Sequence, residues 1–462
     1  MTSELVNSVH LPPGPKGHFL LGIFGDYTRD PLGYLSQCAK EYGDIVHFPS
    51  VRFTAIKSYL INHPDYIEEV LATKSHQFSK YRQSFGIIGR LLGNGLVTSE
   101  GDFWRHQRRL MQPAFHRERI AAYGDVMVAY TNQMLNRWQA GEIRDVHEDM
   151  MRLTLEIVAK TLFDTDLAAE VAQEIGASLS LGITYYDQWF RNIVLTLLPE
   201  TVPIPHYVRS RQVVQRLDAI IYDIIQQRRD SGEDKDDLLS MLLHAKYEDG
   251  TPISNQQLRD EMMTLFLAGH DTTALAMTWT WYLLSQHPEV EAKLLEELQT
   301  VLDGRDPTFA DLSRLRYTDM VVREAIRLYP PVWAMARIAN MDCELGGYPI
   351  KAGSIIIFSQ WVMQRDSRYF DQPEVFNPDR WADGLAQRLP TYAYFPFGGG
   401  SRICIGKSFA QMEAVLLVAT IAQKFHLTLV PGQEVTPWPA FTLRPRQGIK
   451  MLLGEASLAC LS

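Results

Sequence analysis

The chain has 462 residues, 46% of them apolar, and a formal charge of −9; a length like this buries a large core, and the acidic balance argues against nucleic acid as the main partner. No apolar run approaches the roughly 18 to 20 residues of a membrane span, so no integral membrane segment is expected. Cys38, Cys343, Cys404 and Cys460 lie far apart with no C-x-x-C pair, which indicates neither a zinc site nor a disulfide framework and fits a reducing cytoplasm.

In chain order, a Leu11-Pro12-Pro13-Gly14-Pro15 element opens the ordered pattern after ten residues. Asp44 to Phe48 and Phe53 to Ile56 read as strands of a small sheet, followed by a helix from Pro64 to about Ala72. From Asp102 to about Leu302 the pattern is almost wholly helical, with apolar residues three and four apart in Ile120 to Trp138, Val146 to Phe163 and Val213 to Arg229. The acidic stretch Glu233-Asp234-Lys235-Asp236-Asp237 reads as an exposed loop between helices. The longest helix starts at a capping box, Ser254-Asn255-Gln256-Gln257, and ends before His287-Pro288, a span of close to 50 Å at about 1.5 Å per residue. It is apolar on nearly all sides in its middle, as a central helix should be.

After Pro330-Pro331 the period changes to two. Cys343 to Leu345 and Ser354 to Phe358 read as strands of a second part of the sheet, with Lys351-Ala352-Gly353 as a turn. Helix returns at Phe409 to Ile421, and Leu427 to Met451 reads as closing hairpins. With no repeat and no low-complexity linker, residues 1–462 read as a single domain, mainly α (α+β), a large helical part with a long central helix plus a small β-sheet part.

The chemistry concentrates in Phe397-Gly398-Gly399-Gly400-Ser401-Arg402-Ile403-Cys404-Ile405-Gly406. Glycines at 398, 399, 400 and 406 let the backbone turn tightly and approach a flat ligand. The following helix points free amide groups and the positive end of its dipole at Cys404, which stabilises a thiolate. An ionised cysteine with hydrogen-bond donors and a nearby arginine, Arg402, is what a protein needs to set a thiolate on haem iron.

The spacing F-x-x-G-x-R-x-C-x-G resembles the cytochrome P450 superfamily of haem-thiolate monooxygenases, and other stretches match it in order. They are Ala268-Gly269-His270-Asp271-Thr272-Thr273 in the long helix, Glu324-Ala325-Ile326-Arg327, and Phe376-Asn377-Pro378-Asp379-Arg380-Trp381. The resemblance covers roughly Leu11 to the C-terminus and implies a cytochrome P450-like fold, a haem b cofactor and a soluble bacterial-type member. It further implies that Cys404 ligates the iron, with Phe397, Arg402 and Gly406 around it. Trp104 and Arg108, four apart on one helix face, would with Arg337 and Arg402 hold the haem carboxylates. Glu324, Arg327 and Arg380 would form a buried ion-pair triad that supports the cysteine loop. Asp271 and Thr272 would deliver protons to dioxygen, and His270 would point away from the haem. Peroxide-driven or isomerising relatives tend to lose the acid–threonine pair, which is intact here.

The apolar and aromatic character of Tyr81 to Leu96, Tyr185 to Ile204, Val332 to Met335 and Phe441 implies a hydrophobic substrate, a long-chain fatty acid or a terpenoid; Lys80 and Arg82 would suit the acid's carboxylate. No flavin or iron–sulfur segment follows the haem part, so a fused reductase is not expected. Electrons would come from a ferredoxin or flavodoxin with its reductase, steered by Arg105, Arg108, Arg109 and Lys407.

Overall fold

The central helix forms where the sequence places it. Ser254 caps it by accepting from the Gln257 N–H at 3.1 Å. The reciprocal half of the expected capping box is missing, because the Gln257 side-chain amide donates instead to Asn94 O and Glu261 Oε1. The helix then runs through Asn255–Phe266, a π-helical turn at Leu267–Asp271 and Thr272–Leu284. That widened turn coincides with the glycine and hydroxyl residues that weaken α-helix geometry, and π-bulges are frequent at functional sites. The computed structural model describes residues 11–50, 56–81, 85–235, 237–247 and 250–456.

The chain gathers into two compact units. In the unit of residues 85–332, 374–385 and 404–462, the part Thr272–Leu284 packs against helix Val146–Phe163 on one side and helix Arg316–Leu328 on another. Helix Lys407–Ala422 packs against helix Arg117–Leu135 and also reaches the central helix. The parts 273–284 and 409–422 are mostly buried and mostly apolar, as an interior position requires. Gly269 has a packing reason: a Cβ there would stand 2.9 Å from Val158 Cγ2, so glycine lets the π-turn close on Val146–Phe163.

The same unit holds a three-stranded sheet in which Lys450–Glu455 pairs antiparallel with both Phe425–Leu429 and Ile143–Asp145. It also holds a hairpin of Pro437–Pro439 with Leu443–Pro445. These are the closing hairpins read from the sequence, with the short strand before Val146 as an unforeseen third member. The acidic stretch after Ser231 is not wholly a solvent loop. Asp237 is buried, caps helix Leu238–His244 through the Ser240 N–H at 2.7 Å, and pairs with buried Arg228 at 2.6 Å.

In the unit of residues 1–84, 333–373 and 386–403, one sheet is ordered Ile45–Phe48, Ser58–Ile61, Ile355–Phe358, Met335–Ala339, Phe78–Lys80. Ser58–Ile61 and Ile355–Phe358 run parallel and the other neighbours antiparallel. The two parallel inner strands are rich in buried residues, Tyr59, Leu60, Ile61, Ile356 and Phe358 among them, whereas the third inner strand, Met335–Ala339, buries only Ala339. The period-two reading after Pro331 therefore locates real strands, but Cys343–Leu345 with Tyr348–Ile350 stands apart as its own two-stranded hairpin. The strand expected at Phe53 to Ile56 lies, except for Ile56, outside the described residues, and the observed partner of Ile45–Phe48 is Ser58–Ile61. The helix from Pro64 is α only to Glu68 and continues as a π-turn, Glu69–Thr73.

Candidate active site

Cys404 follows the short turn Gly400–Arg402 and precedes helix Lys407–Ala422. Its side chain is accessible, unlike buried Cys38, yet it lies deep enough that desolvation is the largest influence and pushes the thiol pKa up. Three features oppose that push, in order the Gly406 N–H directed at the sulfur, the Arg108 guanidinium and Lys407. A metal cation at the sulfur would supply the remaining charge, since a coordinating thiol is deprotonated outright. A Cβ on Gly406 would stand 4.0 Å from Cys404 Sγ and 3.8 Å from Phe115, ordinary contact distances.

Arg108 and Trp104 share one face of helix Gly101–Met111, as their spacing predicts. The Arg108 guanidinium lies 5.8 Å from the ring centroid of the buried Trp104. Burial lowers the Arg108 pKa while the charge of Cys404 raises it. Arg105 and Arg109 occupy the exposed side of the same helix, with Arg105 paired to Asp102, and Lys407 is exposed too. Arg108 therefore belongs with the cysteine rather than with the outward basic patch to which the sequence reading also assigned it.

On the central helix, buried almost throughout, Ala268 is exposed and Gly269 and Thr272 are partly so. Residues 268 and 272 are four apart and share a face, so one narrow stripe of an interior helix is left uncovered beside the π-turn. The Thr272 hydroxyl donates to Ala268 O at 2.8 Å. His270 faces the other way: it is fully buried, its Nδ1 lies 2.7 Å from Phe266 O, and its carbonyl accepts from Thr154 of helix Val146–Phe163. Asp271 is also fully buried and pairs with Arg444 of the C-terminal hairpin. Arg444 carried no motif and was missed; no local signal ties residue 444 to residue 271.

In the other unit, Phe397 is half-buried and Arg402 closes the turn before the cysteine. Arg337, on Met335–Ala339, donates to Ala336 O at 2.9 Å, and its guanidinium lies 5.8 Å from the Phe358 ring centroid. The glycines of the loop divide by role. A Cβ at Gly400 would meet Leu71 O at 1.8 Å and one at Gly399 would meet the Tyr392 ring at 2.3 Å, so these two pack against the protein itself. Gly398 and Gly406 have no such obstruction and keep the expected role of open backbone.

The E-x-x-R pair is a fully buried bidentate contact. Glu324 accepts from Arg327 Nε at 2.9 Å and Nη2 at 2.8 Å, and from Arg380 Nε at 2.8 Å. The Trp381 indole N–H at 2.9 Å and the Asn377 N–H at 3.1 Å complete the ring of donors. Both arginines also donate to Val375 O, so the group pins the 375–381 segment to helix Arg316–Leu328.

A cysteine accessible at depth, charge-stabilised by an N–H and two cations, and an uncovered stripe on an interior helix form a donor set and a surface that suit a haem. The family model for cytochrome P450 matches residues 12–453. Cyclooctatin synthase of Streptomyces melanosporofaciens is 36% identical over 92% of this chain and 91% of its own length. Pentalenene oxygenase of Streptomyces avermitilis is 35% identical over 90% and 91%, and cyclooctat-9-en-7-ol 5-monooxygenase of Streptomyces melanosporofaciens 37% over 89% and 88%.

The chain belongs to the cytochrome P450 family.

This P450 is a haem-thiolate monooxygenase with haem b as cofactor, an oxidoreductase that activates dioxygen with electrons from a redox partner and hydroxylates a hydrophobic substrate. Among the described residues no helix is long and apolar enough to cross a membrane, and no cluster of three or more His, Cys, Asp or Glu side chains could hold a further metal.

Glu413, nine residues beyond Cys404 on the following helix, is a second buried group that the motifs did not mark. Burial raises its carboxyl from the ordinary 4.5 to about 8; Thr273 lowers it only slightly, and neither oxygen accepts a well-formed hydrogen bond among the described residues. Between pH 4.5 and 8 the folded P450 keeps a proton that the unfolded chain releases, so stability falls as pH rises through that window. Glu413→Gln removes the titration. Its urea midpoint is expected to match the parent near pH 4.5 and to exceed it at pH 8, by up to about 4 kcal/mol at 1.36 kcal/mol per pKa unit. Parallel pH profiles of parent and variant would show that Glu413 does not titrate in this way.

Proposed function

We propose that this P450 is a single functional haem domain acting in the cytoplasm, that its substrate is a cyclic terpenoid, and that an acidic ferredoxin or flavodoxin delivers its electrons. The observation that carries the reading is the pairing, in one unit, of the accessible Cys404 with the uncovered Ala268 to Thr272 stripe. Relatives named for pentalenene and cyclooctat-9-en-7-ol favour a cyclic skeleton over a fatty acid. An aromatic cluster supports an apolar ligand: Phe441 meets Phe85 at 6.5 Å and Tyr186 at 5.4 Å, and Tyr186 stacks on Phe190 at 6.0 Å. Of the cation pair suggested for a fatty acid, Arg82 lies outside the described residues. Titrating the holoprotein with terpenes and fatty acids and following the Soret band tests this; a shift with fatty acids alone would reject the terpenoid reading.

When bound, the haem would supply the oxidising chemistry for C–H hydroxylation, with a cysteine thiolate tuning its reactivity. The chain's own work is to hold and to protonate. Cys404 would ligate the haem iron, its charge sustained by Gly406 N–H, Arg108 and Lys407. Phe397 would stand beside the cysteine loop, and Trp104, Arg108, Arg337 and Arg402 would each be available to donate to the haem carboxylates, for which a planar arginine fork is suited. Asp271 would take protons inward along the central helix, and Thr272, whose hydroxyl donates to Ala268 O, would hand them on.

Thr272→Ala is expected to leave haem content and substrate binding intact while product per reducing equivalent falls roughly tenfold or more, with hydrogen peroxide appearing in its place. Coupling equal to the parent's would remove Thr272 from the proton route. For the partner, reversing Arg105 and Arg109 to Glu should slow reduction by an acidic ferredoxin about tenfold at low salt and flatten its salt dependence. Unchanged reduction kinetics would place the partner elsewhere.

A further inference from the structure

We infer that Arg444 is the positioning residue of the proton route, holding Asp271 paired and aimed from a hairpin tied to the central helix. This rests on the proton route proposed above. Asp271 is fully buried, and one carboxylate oxygen, Oδ1, accepts from Arg444 Nη2. The other, Oδ2, is buried with no hydrogen-bond partner among the described residues. A carboxylate without water survives only beside a cation, and a guanidinium that occupies one oxygen fixes the direction of the other. The arrangement thus leaves one oriented oxygen for a proton to arrive at and leave from.

What places Arg444 is the backbone next to it. The Leu443 N–H donates to Pro331 O at 2.9 Å, and Leu443 O accepts from the Trp279 indole at 2.9 Å. Trp279 is on the central helix, two turns beyond Asp271, and stacks on Tyr329 with centroids 4.3 Å apart. Across the hairpin Trp438 stands opposite Arg444, held between Arg191 at 4.0 Å and Arg446 at 4.5 Å, and Arg191 also donates to Pro439 O at 3.1 Å. Arg191 ends helix Ala169–Arg191, whose Tyr186 meets Phe441 at the hairpin's tip. The hairpin that presents Arg444 is therefore tied both to the central helix and to the aromatic cluster assigned to substrate. Only 12% of the Arg444 side chain is exposed, which puts a buried carboxylate one residue away from solvent.

The test uses the haem-loaded protein with a working redox partner and the variants Arg444→Gln, Arg444→Lys, Asp271→Asn and the Arg444→Gln/Asp271→Asn pair. Arg444→Gln is expected to keep the substrate-induced Soret shift, to lose roughly tenfold in product per reducing equivalent, the lower end of what loss of an orienting partner costs a reactive group, and to show a larger solvent deuterium isotope effect. Arg444→Lys should recover part of the loss, and the double variant should be no worse than Asp271→Asn alone, because Arg444 acts only through Asp271. A readout independent of turnover is the urea midpoint: Arg444→Gln strands a buried carboxylate and should lower it, and adding Asp271→Asn should restore much of it. If Arg444→Gln fails to fold, the lysine variant and the restored double variant carry the same test. Losses that multiply in the double variant, or an Arg444→Gln protein as coupled as the parent, overturn the inference. An impaired Asp271→Asn beside an unimpaired Arg444→Gln leaves the proton route standing and removes Arg444 from it. If Asp271→Asn alone changes nothing, the route itself is wrong and this role falls with it.

Discussion

Cys404→Ser is expected to abolish the strongly red-shifted Soret band of the reduced carbon monoxide complex and to lower hydroxylation by more than about a hundredfold, since loss of a ligand should exceed the 10- to 100-fold cost of losing a residue that only supports one. The hydroxyl is smaller, harder and far less acidic than the thiol, so the Gly406 N–H, Arg108 and Lys407 that offset the burial of Cys404 would have no comparable anion to stabilise. Folding should survive, because the site is accessible and the helix that follows is held by its own apolar faces. Absorbance spectra of the reduced, carbon monoxide-treated variant, with haem quantified separately, make the measurement. A variant that binds haem and keeps the red-shifted band would mean that another side chain is the ligand.

Glu324→Ala should cost about 3 to 5 kcal/mol of stability, the usual price of removing one partner from a buried ion pair. It strands Arg327, which has no exposure, and takes from Arg380, the Trp381 indole and the Asn377 N–H their shared acceptor. The effect is expected to be local as well as global. With its anchor gone the 375–381 segment loses its tie to helix Arg316–Leu328, and haem retention should fall along with the urea midpoint. Glu324→Gln is the informative companion. It keeps an acceptor for one donor but presents an N–H₂ to the others, so it should be destabilised nearly as much. A loss under about 1 kcal/mol in both variants would show that solvent enters and replaces the carboxylate, and the triad would not be a support.

Much of the fold was legible because its signals are local. The caps and periods that produce Val146–Phe163, the central helix and Lys407–Ala422 sit within the helices themselves. Boundaries moved where a neighbour decided them: Pro64 starts a helix, but its end passes into a π-turn. The pairing of Ser58–Ile61 depends on a parallel partner, Ile355–Phe358, some 300 residues away, which no local pattern reveals.

The sequence by itself determined the chemistry's anchor and its neighbourhood. A cysteine framed by glycines and arginine ahead of a helix, a glycine and threonine set into an apolar helix, and E-x-x-R at helical spacing each carry their reason within ten residues. Tertiary structure decided which groups face those anchors. Arg444 reaches Asp271 across 173 positions, Glu413 becomes a neutral acid only because helices enclose it, and Asp237 leaves the solvent because Arg228 waits for it. Gly399 and Gly400 prove to lie too close to Tyr392 and Leu71 to admit a side chain. Charge compensation and desolvation depend on what lies within a few ångströms in space, and that distance is set by packing, not by order along the chain.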